Sequence, residues 1–174
     1  MFFLIISGLP LLFVVALVCL QHFSNNKPEK FLNFEKKNQS MPTSEVVYLG
    51  DLRTQCTHLQ SGTVIMTDAP TDNQGRGEMF SPTDLAATSL ASCMITIMGI
   101  VAKQGGFDIT GTRAEVTKIM GTDPRRISEI KIDVFFPPND YSKREKAIIE
   151  HSTKICPVAL SLHPDTIQTV VCHF

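Results

Sequence analysis

The segment FSPTDLAATSLASCMITIMG, Phe80–Gly99, carries its own helix signals. Ser81 stands as N-cap, Pro82 fits the first helical position, and Asp84 falls at the third, where its carboxylate meets free backbone amides. Beyond them Leu90, Cys93, Met94, Ile97, Met98 and Val101 recur at three- and four-residue steps, the period of a helix with one apolar face. Gly105-Gly106 supplies a stop. A helix is therefore predicted from Pro82 to Lys103 or Gln104, with Cys93 in its apolar stripe.

Strand signals lie on both sides of this helix. Val46–Leu59 and Thr63–Thr67 are rich in β-branched residues and are separated by Ser61-Gly62, so they read as a hairpin. The following stretch, TDAPTDNQGRGEMF, is too rich in Gly, Pro, Asn and Asp for regular structure. Downstream, Gly111–Met120 and Ile127–Phe136 alternate apolar and polar residues, with Asp123-Pro124 as the turn of a second hairpin. Ser142 and Glu145 form a capping box that opens a second helix, which Pro157 halts near Ile155. Cys156-Pro157 begins a short helical turn through Leu162, and Thr166–Phe174 closes as a strand. The expected class is α+β, with antiparallel sheets packed on two helices.

The chain of 174 residues is 43% hydrophobic, enough for one domain with an ordinary core. Sixteen basic and 17 acidic residues leave a net charge of -1, which provides no field for nucleic acid. Residues 1–22 read as a hydrophobic segment, 23–45 as a polar linker and 46–174 as the domain. Met1–Leu20 holds no charge and has the length of a membrane-spanning helix. Two readings fit it: an anchor, or sequence preceding a true translation start at Met41. Lys27, Lys30, Lys36 and Lys37 follow the apolar run, so an anchored domain would face the cytoplasm.

The five cysteines, Cys19, Cys56, Cys93, Cys156 and Cys172, are scattered, and no pair has C-x-x-C spacing. Of the five histidines, His58, His151, His163 and His173 are equally dispersed. No metal site and no cofactor is expected, and reduced thiols in a reducing compartment are. Cys93 on an apolar helix face reads as a small core residue, too far from the N-terminus for the helix dipole to activate it. Cys156 precedes a proline at a helix start, where free amides favour a thiolate; it reads either as the more reactive thiol or as filler of a helix junction. Cys56 and Cys172 lie on strands and read as packing or surface thiols.

At Phe80–Gly99, and again at TKICPVALSL (Thr153–Leu162), the sequence resembles the OsmC/Ohr family, nearer its less characterised OsmC-like branch. The first motif, an S-P-x-[acid]-L lead-in with A-x-C about ten residues later, is the more specific. The resemblance runs from Val46 to Phe174 and implies an intertwined homodimer with each active site at the subunit interface. It also implies a cysteine-based, peroxiredoxin-like hydroperoxide reductase that acts on organic hydroperoxides or hydrogen peroxide. Cys93 would attack the peroxide and Cys156 would resolve the sulfenic acid as a disulfide, which an external dithiol then reduces. Arg53 matches the family arginine that stabilises the thiolate, and otherwise reads as a solvated strand residue. The family's glutamate partner for that arginine falls here on Thr83. Asp84 has either moved into that role or serves only as the helix N3 carboxylate, and Glu78 is a third candidate. The rival reading is a dimeric binding module without turnover.

Overall fold

The computed structural model describes residues 41–174, and its folded unit spans Ser44–Phe174. The expected membrane segment and most of the expected linker lie outside the described residues. Three strands come first: β1 (Ser44–Gly50), β2 (Arg53–His58) and β3 (Val64–Asp68), an antiparallel sheet in that order. The single strand expected over Val46–Leu59 is thus two. Gly50 and Arg53 close a hairpin whose central residues, Asp51 and Leu52, both have positive φ, the backbone that matches strand twist in a two-residue turn. Gly-Asp supplies the turn chemistry, and the Leu52 amide donates to the Tyr48 hydroxyl at 3.3 Å.

The long helix, α1, runs Pro82–Gly105, as its caps predict. Ser81 Oγ accepts from the Asp84 amide and the Asp84 carboxylate accepts from the Ser81 amide, while Gly106 ends the helix in the left-handed conformation. Its buried residues are Ala87, Leu90, Ala91, Met94, Met98 and Ala102. The fully enclosed face therefore uses alanines that hydropathy alone undervalues, and Cys93, Ile97 and Val101 form a half-buried row beside it. Cys93 sits at the edge of the stripe rather than at its centre. By length and composition α1 could cross a membrane, yet here it is the core helix of the unit.

The second sheet contains β4 (Arg113–Thr122), β5 (Arg125–Phe135) and β6 (Ile167–His173) in that order. On β5, Ile130, Ile132 and Val134 alternate into the core, continued by Phe136. Fully burying an aliphatic side chain of this size contributes about 1.5–3 kcal/mol, so this alternation fixes the face that β5 presents to α1. Two helices, α2 (Lys143–Ser152) and the short α3 (Pro157–Ser161), separate β5 from β6 in the chain. β6 pairs with β5 in parallel, not antiparallel as the element order alone suggests. A crossover through helices permits a parallel partner, whereas a tight turn does not. α1 packs on β4, β5, α2 and α3, so one mixed layer of helices covers the second sheet.

Candidate functional site

Cys93 and Cys156 come together. Cys93 projects from the middle of α1, and Cys156 is the N-cap of α3, where Pro157 occupies the first helical position. The packing of α1 against α3 sets the two thiols close enough that each acts on the other, and both are free. Cys156 is fully buried, while Cys93 is half-buried. Burial pushes the Cys156 thiol up, and the neighbouring Cys93 thiol does the same; the amides of Ala159 and Val158 pull the other way and lose. The reading of Cys156 as the more activated thiol therefore fails on desolvation: a helix-start amide lowers a thiol only where water or a cation also supports the charge. Cys93 has the access and Cys156 the enclosure.

Arg53 and Asp84 each lie elsewhere within the chain. Arg53 on β2 stands directly opposite Asp68 on β3, with its guanidinium Nη2 3.5 Å from Asp68 Oδ2 and hydrogen-bonded to Glu78. The bond to Glu78 raises the arginine further, against the opposing effect of burial. Asp68 is fully buried, and its carboxyl lies below the usual carboxylate range because the Glu78 amide donates to it at 3.1 Å, an effect that outweighs desolvation, with Arg53 adding its charge.

Asp84 closes the capping box of α1 and pairs with Lys118 of β4 at 2.7 Å. Burial would raise its carboxyl, but the bonds from Lys118 and Ser81 bring it below its ordinary value. Lys118 also donates to Thr83 Oγ1 at 2.7 Å. The arginine's carboxylates are thus Asp68 and Glu78, and Asp84 serves the helix start and a lysine. A cavity of about 710 Å³ has Ile65, Met66, Glu78, Phe80, Asp84 and Lys118 on its wall, with Thr88 of α1 beside them. Thr88 precedes Cys93 by roughly 7.5 Å of helix rise, and neither cysteine lines the cavity. Asp68 escaped the sequence reading because only cross-strand register brings it to Arg53, and Lys118 because only the packing of β4 on the start of α1 brings it to Asp84.

An α+β domain with two apposed thiols, one on a long core helix and one at the cap of a short one, defines a two-cysteine protein class. A family model described as OsmC-like protein matches residues 75–170. A crystal structure from Psychrobacter arcticus, described as an osmotic stress induced and detoxification response protein, is 56% identical; the match covers 78% of this chain and 98% of that one, with a TM-score of 0.75. The chain belongs to the OsmC-like protein family.

More distant structures share the fold. An organic hydroperoxide resistance protein OsmC from Legionella pneumophila is 12% identical, covering 78% of this chain and 100% of that one, at a TM-score of 0.60. An organic hydroperoxide resistance protein from Vibrio cholerae, with captopril in one of its active sites, is 13% identical, covering 78% and 94%, also at 0.60. Among curated proteins none matches the chain significantly.

Proposed function

We propose that this chain reduces organic hydroperoxides or hydrogen peroxide with its two thiols, as a homodimer and without metal or organic cofactor. One observation carries the reading: Cys93 and Cys156, far apart in sequence, are neighbours where α1 packs on α3, and Cys93 is the less buried of the two. The Cys93 thiolate attacks the distal peroxide oxygen, the O–O bond breaks, and the alkoxide takes up a proton to leave as alcohol, or as water from hydrogen peroxide. Cys93 is then a sulfenic acid. Cys156 attacks that sulfur, water departs, and a disulfide remains; an external dithiol returns both thiols by two exchanges and is itself oxidised. A disulfide needs the two sulfurs at bonding distance, and the packing of α1 on α3 already makes the two thiols neighbours. The names of the Legionella and Vibrio relatives agree with a hydroperoxide substrate.

Arg53 is the cation of the site in this reading, and a second copy brings it there. The sheet β1–β3 supports the dimer. Val46 and Tyr48 are 60% and 64% exposed, Leu49 and Val64 are exposed as well, and a three-stranded apolar sheet with little packed on it requires a partner. Asp84 orders the start of the helix that carries Cys93. The thiol cycle fits a reducing compartment such as the cytoplasm.

The test mixes the reduced full chain with one equivalent of cumene hydroperoxide or of hydrogen peroxide and maps disulfides by mass spectrometry. A rapid Cys93–Cys156 bond is expected, and a trapped Cys93 sulfenic acid in Cys156→Ser. Unreacted thiols at both positions would leave the dimeric binding module as the function.

A further inference from the structure

The two carboxylates that hold Arg53 differ in kind. Asp68 sits opposite the arginine in the strand register, has no exposed surface, and accepts the Glu78 amide as well as facing the guanidinium. Glu78 has a side chain 55% exposed and stands on the wall of the cavity with Asp84 and Lys118. A buried carboxylate cannot release its counter-charge without leaving an uncompensated charge in a dry setting, whereas a solvated one exchanges its partner for water with little loss. Both carboxylates meet the same nitrogen, Nη2, so Arg53 has there one buried partner that stays and one solvated partner that can exchange. Its Nε and the Asp68 Oδ1 are both buried without a hydrogen-bond partner, so the pair is not a saturated structural clasp.

We propose that Asp68 is a positioning residue: it fixes the Arg53 guanidinium, and Glu78 is the partner that gives up its place to the oxygens of an incoming hydroperoxide. The inference rests on Arg53 being the cation of the thiol site. Asp68 touches neither peroxide nor sulfur and acts only through the arginine. The two charges then have opposite effects on substrate affinity. Without the Asp68 charge, Arg53 follows Glu78 toward solvent and peroxide must compete for it. Without the Glu78 charge, Arg53 stays beside Asp68 and its Nη2 is open to another acceptor.

The experiment compares steady-state turnover of cumene hydroperoxide, with dithiothreitol as reductant, in the full-length wild type, Asp68→Asn and Glu78→Gln, alongside thermal unfolding. Asp68→Asn raises KM about tenfold, with the smaller part of the loss in kcat, and Glu78→Gln lowers KM at least twofold. A purely structural pair would weaken both variants in step with their Tm and could not separate them in sign. A KM in Glu78→Gln that is unchanged or raised overturns the proposal, and that variant decides alone if Asp68→Asn does not fold. A wild type that consumes no peroxide instead overturns the peroxidase reading and takes this inference with it.

Discussion

At Cys156 two backbone amides and complete burial compete for one proton, and burial wins because a thiolate there would face apolar neighbours with no cation in contact. The same competition is simpler at Cys172 on β6. Burial raises this thiol to about 11, with the Glu150 charge adding to it, against 9.0 for a free cysteine. A thiol raised by folding favours the folded state fully below its unfolded value and loses that contribution as pH climbs through its folded value, here between about 9 and 11. Its nucleophilicity follows the same curve, since the thiolate is the attacking species. Iodoacetamide labelling of the folded chain, followed peptide by peptide, should show the Cys172 rate still rising past pH 10. A rate half-risen near pH 9 and level beyond pH 10, as for a free cysteine, would mean that the thiol is solvated and the packing around β6 loose.

The start of α1 shows what local chemistry can decide. Ser81 Oγ takes the Asp84 amide at 3.1 Å and donates to Asp84 Oδ2 at 2.7 Å, and both residues are read directly from an S-P-x-D spacing. Ser81→Ala should cost about 1–2 kcal/mol in urea unfolding at pH 7, the upper half of the range for N-caps because the serine is buried. Asp84 adds a pH signature. Its carboxyl is depressed in the fold, so its contribution is present above the unfolded carboxylate range and is lost as pH falls below it. Asp84→Asn should therefore destabilise at pH 7 and have much less effect at pH 3; equal losses at both would remove the Lys118 pairing from the account.

Signals of this kind, three or four residues long, made both helices and their boundaries legible, including Ser142–Glu145 at α2 and Gly106 behind α1. The hairpin of β1 and β2 was missed where a two-residue turn interrupts a continuous β-branched run. The parallel pairing of β6 was missed because alternation reports a strand without its direction. The sequence singles out Arg53 and offers Glu78 as the third candidate for its partner, which the structure pairs with it, but Asp68 could not be read. The pair with Asp68 depends on the β2–β3 hairpin closing at His58 and Thr63, and a shift of one residue would have sent the two side chains to opposite faces.

The whole molecule leaves one arrangement to explain: the thiols lie where α1 meets α3, while Arg53 lies on a sheet whose apolar residues, Val46, Tyr48 and Ile65 among them, remain exposed. A stable interface of ordinary size buries about 1,600 Å² in total, and both this sheet and the open row Cys93, Ile97 and Val101 are available to form it. In a two-fold dimer a contact of one surface with another is made twice, so a sheet seated on the partner's Cys93 row would let the Arg53 of each chain complete the thiol pair of the other. Complementation tests this without disturbing the interface. Arg53→Ala and Cys93→Ser should each be nearly inactive as homodimers. Co-expressed at equal levels and purified together, they should recover roughly a quarter of wild-type peroxide turnover, because half of the dimers are mixed and each mixed dimer holds one intact site. If arginine and thiol act within one chain, the mixed dimers hold no intact site and turnover stays at the level of the single variants. Sedimentation of the same sample must show dimers, since recovery in a monomeric population would have no physical route.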